Sequence, residues 1–126
     1  MTRRVLTATE DLLFKSKILQ TAEALDVEAA FPRSPKKFVD EVRGSAPDLL
    51  VLDLNSRRFE PLMLLRELKS DEATMHVPVV GFLSHVQKDL AIASRKSGCD
   101  RVMARSAFTR ELPEILAGGG SGGLDA

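Results

Sequence analysis

Two stretches of the chain, Leu49-Leu50-Val51-Leu52 and Val77-Pro78-Val79-Val80-Gly81-Phe82-Leu83, are apolar without alternation. A strand with one wet face shows every second side chain to water, so these runs predict strands covered on both sides, as in a parallel sheet between helix layers. Ahead of them the period changes. Leu12, Leu13, Ile18, Leu19, Ala22 and Leu25 recur at helical spacing after a short first strand at Val5 to Ala8, and this helix is expected to open near Thr9 with Glu10 and Asp11 in its first turn. Asp26 to Phe31 reads as a weaker second strand. Ser34 before Pro35 is a serine cap with proline at the first helical position, Phe38, Val39 and Val42 give that helix its apolar face, and Gly44 is expected to end it.

The central strand, Asp48 to Leu54, is followed by a helix opening at Pro61 with Leu62, Leu64, Leu65 and Leu68 inward. Pro78 belongs near the start of the fourth strand, where a missing N–H does least harm. A helix from Gln87 to Lys96 ends at Gly98, Arg101 to Ala104 forms a fifth strand, and Leu112, Ile115 and Leu116 mark a last helix that Pro113 should shorten or bend. Five strands alternating with five helices predict a doubly wound α/β sandwich, and right-handed crossovers leave 2-1-3-4-5 as the expected strand order.

Composition narrows the functional classes. The 126 residues fit one domain, expected over residues 3–117, with 118–126 a glycine-rich flexible tail, linker or cloning scar. Eighteen basic residues balance eighteen acidic ones, so no global field draws the chain to nucleic acid or to an anionic membrane, and proteins are the expected partners. No apolar run is long enough to span a bilayer. The single cysteine, Cys99, cannot form an internal disulfide, and the cytoplasm is the expected compartment. With folded sequence expected to stop near Leu116, the module is expected to stand alone.

Candidate chemistry gathers at Asp53, the acid that ends the central strand. In open parallel sheets, ligands bind beyond the carboxyl ends of the strands. A Ser84, His85 and Asp53 triad is disfavoured because adjacent residues leaving a strand diverge to opposite faces. His85 is expected at the pocket rim instead. A flavin site is disfavoured because Glu10 and Asp11 repel a phosphate and the chain has no Trp or Tyr to stack the ring.

With Asp53 so placed, the chain resembles the receiver domain of two-component response regulators, a flavodoxin-like (βα)5 fold. The resemblance rests on Pro47-Asp48-Leu49-Leu50-Val51-Leu52-Asp53-Leu54-Asn55, Leu64-Leu65-Arg66-Glu67-Leu68-Lys69, His76-Val77-Pro78-Val79-Val80, Leu83-Ser84 and Ser97-Gly98-Cys99-Asp100. It implies that Asp53 is the acceptor of a phosphoryl group from a histidine kinase or phosphotransfer protein, and that Ser84 and Arg105 contact that group. By the same resemblance, Glu10, Asp53 and the Asn55 carbonyl stand where Mg2+ is held. It implies a signalling module, not an enzyme beyond slow self-phosphorylation and dephosphorylation. It also implies a downstream-partner and dimer surface on Gln87 to Lys96, Arg101 to Ala104 and Thr109 to Leu116, made locally basic by Lys88, Arg95, Lys96, Arg101 and Arg110.

The departures define an atypical member. Thr9 replaces the first carboxylate of the family's acidic pair, and Glu10 is one methylene longer than the usual aspartate. Magnesium demands near-octahedral oxygens at about 2.0–2.1 Å, so the site is expected to be weak or absent. Arg105 replaces a lysine, Ser106 the proline that follows it, Val102 the aromatic switch residue, Arg57 a proline and Pro61 a glycine. A guanidinium is always charged and pairs carboxylates in two-pronged fashion. Arg105 is therefore expected to pair with unmodified Asp53. The alternative to a working phosphoacceptor is a pseudo-receiver that acts only by binding proteins.

Overall fold

A computed structural model describes residues 2–84 and 87–118. His85, and the tail beyond Gly118, lie outside the described residues. The elements are β1 (Arg4–Ala8), α1 (Leu12–Ala24), β2 (Glu28–Ala30), α2 (Pro35–Ser45), β3 (Leu49–Asp53), α3 (Pro61–Lys69), β4 (Val79–Leu83), α4 (Lys88–Lys96), β5 (Arg101–Ala104), α5 (Arg105–Arg110) and α6 (Leu112–Ala117). The sheet is wholly parallel, in the order β2-β1-β3-β4-β5. This is the flavodoxin-like arrangement the hydrophobic pattern predicts.

Alternation along each strand divides the core into two layers. Leu6, Leu50, Leu52, Val79 and Leu83 meet Phe38, Val39 and Val42 of α2 and Leu64, Leu65 and Leu68 of α3. On the other face, Val5, Val51, Val80, Phe82 and Met103 meet Phe14, Ile18 and Ala22 of α1, Phe108 of α5 and Leu112, Ile115 and Leu116 of α6. Every residue of β3 and β4 is buried, as their unalternating sequences require. Gly81 is needed where these layers press closest, because an added Cβ would lie 2.8 Å from Leu54 Cδ1 and 3.0 Å from Cys99 Sγ.

One lysine ties three elements together below the sheet. Lys69 Nζ donates to the carbonyls of Val77 (2.8 Å) and Met75 (3.1 Å) and pairs with Asp100 (3.1 Å). Asp100 in turn accepts the Val79 backbone N–H at 2.8 Å. Gly98, at φ +112°, makes room for the Lys69 stem, since a Cβ there would fall 2.5 Å from Lys69 Cγ.

Three local expectations are corrected. Helix α1 begins at Leu12, with Asp11 as its N-cap, so Glu10 and Asp11 are outside the first turn; Asp11 Oδ1 accepts the Phe14 N–H at 3.0 Å. That phase buries Phe14, Ile18 and Ala22 and leaves Leu12 and Leu13 75 % and 85 % exposed. Helix α2 runs through Gly44 and stops at Ala46, which takes the left-handed conformation at φ 47°. The last helix is two, because the chain turns at Glu111 and Pro113 sits at the start of α6, where its missing N–H is harmless.

Candidate functional site

Parallel register brings the candidate residues to one edge of the sheet. Ala8 pairs with Leu52, Asp53 with Phe82 and Leu83 with Ala104, so Thr9, Asp53, Ser84 and Arg105 all leave the core at about the same level. Asp53 is 7 % exposed. Its Oδ2 accepts the Thr9 hydroxyl at 2.8 Å and its Oδ1 accepts the Asn55 backbone N–H at 3.0 Å. Thr9 therefore does more than delete a carboxylate. It fills the missing group's place with a donor that holds Asp53.

The loop after β3 is built around the same acid. The Asn55 side chain accepts the Ser84 N–H at 2.7 Å and donates to Gln87 Oε1 at 2.8 Å, bracing the β4–α4 connection against β3. The structure thus brings Asp53, Asn55 and Ser84 into one connected hydrogen-bond chain. Glu10 is engaged elsewhere. Its Oε2 accepts the Ser56 hydroxyl at 2.7 Å and the Arg58 N–H at 3.1 Å, and those bonds hold its carboxyl below the usual range. Among the described residues, no three His, Cys, Asp or Glu side chains are grouped so as to hold a metal. In this arrangement the donors do not fit an ion that wants a cluster of carboxylate and carbonyl oxygens.

Arg105 corrects the strongest electrostatic expectation. Its Nη2 donates to Asp11 Oδ2, not to Asp53. Its guanidinium lies over the Phe14 ring, 4.4 Å from the centroid, and 5.6 Å from that of Phe82. Phe14, Phe82 and Phe108 form a ring cluster with centroids 4.6 to 5.7 Å apart, Phe82 stacked on Phe108 and Phe14 tilted against both. A planar cation prefers such a surface, and a carboxylate at its edge adds a charge-assisted bond. Both partners of the ion pair are about a third exposed, so solvent screening limits its worth to roughly 1 kcal/mol or less. The Phe14 N–H first, and then Arg105, hold the Asp11 carboxyl below its usual range.

Asp11, Ser56 and Gln87 are the partners that sequence reasoning missed. For Asp11 a signal exists. An aspartate just before Leu12-Leu13-Phe14 is a helix cap, which fixes one oxygen on the backbone and aims the other outward. Ser56 and Gln87 carry no comparable local signal. Cys99 is core filler, since burial pushes its thiol up to about 11 and leaves it protonated at neutral pH. On the expected partner surface, Leu83, Ala91, Ile92, Val102 and Met103 line a groove of about 380 Å³ rimmed by Lys88 and Arg95. Arg101 is drawn out of the basic patch by Glu111, at 2.9 Å.

A five-stranded parallel sheet in this order, with an acid ending β3 and a serine directly after β4, defines the class of the molecule: it has the fold of response-regulator receiver domains, and the chain is similar in sequence to curated response regulators. Among curated proteins it is similar to the polar-differentiation response regulator DivK of Brucella ovis, 26 % identical over 116 residues that cover 92 % of this chain and 94 % of that one. Among solved structures, the phosphorylated cyanobacterial phytochrome response regulator RcpA superposes with a TM-score of 0.80 at 21 % identity, covering 96 % of this chain and 93 % of that one. The Mn(2+)-bound form of response regulator Rcp1 superposes with a TM-score of 0.75 at 19 % identity, covering 98 % and 96 %. No protein-family model matches the chain. No described helix is long and apolar enough to cross a membrane.

Proposed function

We propose that this receiver domain is a signalling module that works through protein contacts, with Asp53 at the phosphoacceptor position and metal-assisted phosphorylation slow or absent. The observation that carries the reading is the closure of the acid by its own chain. Both Asp53 oxygens are occupied by donors from Thr9 and Asn55, Glu10 is committed to Ser56 and Arg58, and Arg105 is committed to Asp11. Phosphoryl transfer gathers negative charge on the equatorial oxygens, and catalysis of that step is almost wholly positioning and charge neutralisation. Here the cation stands aside and the acidic pair that would hold magnesium is broken. Rcp1 binds Mn(2+) and RcpA is phosphorylated; by analogy, Glu10, Asp53 and the Asn55 carbonyl are the residues that would hold a weakly bound Mg2+ here, and only after Glu10 gave up Ser56 and Arg58.

The partners fit the same reading. A histidine kinase or phosphotransfer protein meets the Asp53 edge, and a downstream protein or a second copy meets Gln87 to Lys96, Arg101 to Ala104 and Thr109 to Leu116. The chemistry is that of a soluble cytoplasmic relay, not of a turnover enzyme. Intact-mass spectrometry after incubation with acetyl phosphate and magnesium tests it. Little or no phosphoryl adduct is expected over a time in which an ordinary receiver is fully labelled, and any trace should vanish in Asp53→Asn. Rapid stoichiometric labelling that Asp53→Asn abolishes would overturn the slow-or-absent reading and restore an ordinary aspartyl-phosphate switch.

A further inference from the structure

The two oxygens of Asp11 do separate jobs. Oδ1 caps α1 through the Phe14 N–H, and Oδ2 takes the Arg105 guanidinium, which rests on the Phe14 and Phe82 rings. Arg105 is the first residue of α5 and follows directly on β5. Leu83 and Ala104 are paired in the sheet, as are Asp53 and Phe82, so Arg105 starts from the same edge as Asp53 with a long side chain able to turn either way. Two carboxylates compete for one cation. Asp53 already holds two hydrogen bonds and is nearly buried, whereas Asp11 is about a third exposed and its charge is less expensive to keep beside a guanidinium at the surface.

We propose that Asp11 is the positioning residue of this pocket, a latch that withholds Arg105 from Asp53 by tying the cation to the head of α1 and to the aromatic cluster. The inference rests on the reading of the Asp53 pocket given above. It goes further in naming the residue that decides where the Arg105 guanidinium sits. Removing the charge of Asp11 frees Arg105 to swing onto the Asp53 carboxylate, or onto any anion that occupies its place. The aromatic surface alone does not hold it, because a cation on Phe rings at a partly exposed site is worth less than a charge-assisted bond to a buried carboxylate.

Asn is the informative replacement. Asp11→Asn keeps the Oδ1 acceptor, and Asn caps helices as well as Asp does, so the fold survives while the charge is lost. The test follows the Arg105 side-chain Nε–Hε resonance in 15N-labelled protein, assigned by its disappearance in Arg105→Gln. Asp53→Asn should leave that resonance in place in the otherwise native chain. Asp11→Asn should shift it, and in the Asp11→Asn background Asp53→Asn should shift it again. A resonance unmoved by Asp11→Asn overturns the latch, as does one that Asp53→Asn moves equally in the native chain. A resonance that moves in Asp11→Asn but ignores Asp53→Asn there overturns it too, since Arg105 then goes to solvent. Should Asp11→Asn fold poorly, Asp11→Ser supplies a capping oxygen without charge and repeats the comparison. None of these readouts involves phosphorylation, so rapid labelling of Asp53 would overturn the slow-phosphorylation reading and leave the latch standing.

Discussion

Thr9→Asp combined with Glu10→Asp should turn magnesium into a stabiliser of this protein, raising Tm by about 10 °C at saturating metal, where the unsubstituted chain moves by less than about 1 °C. The Thr9 hydroxyl now donates to Asp53 Oδ2 at 2.8 Å. Replacing that donor with a carboxylate puts two acids at one edge, which repel and destabilise the metal-free fold by about 1–3 kcal/mol. Shortening Glu10 removes the reach that carries its oxygen to Ser56 and the Arg58 N–H, returning a second carboxylate to the cluster. Metal binding only the folded state at about a hundred times its Kd then contributes about 2.7 kcal/mol. For a domain of this size that corresponds to the stated shift, at roughly 4 °C per kcal/mol. Thermal melts of both proteins with and without magnesium check it, and an equal response in the two would show that Thr9 and Glu10 are not what limits the site.

Phe82→Ala should cost about 3–5 kcal/mol of folding stability, a large part of the roughly 5–15 kcal/mol that holds a domain together. Phe82 is fully buried. Its ring lies 4.6 Å from that of Phe14 and 4.9 Å from that of Phe108, so truncation opens a cavity among α1, β4 and α5 that their backbones cannot close. The same ring flanks Arg105, so the loss should also loosen the guanidinium. Urea unfolding measures the first effect, and Phe82→Leu, which keeps most of the volume, should lose markedly less.

The sheet was legible because its signals are short-range and redundant. Leu49-Leu50-Val51-Leu52 and Val79-Val80-Gly81-Phe82-Leu83 have no polar side to offer water, and the observed strands bury all their residues. Once the strand order followed, Asp53, Asn55 and Ser84 had to share an edge. Helix α1 was harder, because Leu12 and Leu13 imitate an apolar face that belongs to Phe14, Ile18 and Ala22. Its phase is set by where the Asp11 cap starts the helix, and that depends on how the turn after β1 sits on the sheet. Arg105 was legible as a cation near the pocket but not in its choice of partner. Several rotatable bonds separate its backbone from its charge, and the contest between Asp11 and Asp53 is decided by burial and by the Phe14 ring beneath it. Charge type is written in a sequence, whereas the pairing of long side chains is a tertiary outcome.

Magnesium titration of the 15N-labelled native chain, followed at the backbone amides of Asn55 and Ser84, tests most directly whether the Asp53 pocket is closed by its own donors. The account predicts that these resonances stay nearly fixed, or drift without saturating, through the millimolar range. Saturable shifts centred on both amides at submillimolar magnesium would contradict it, because they would mean that Thr9 and Glu10 give way to a metal that the closed hydrogen-bond network should keep out.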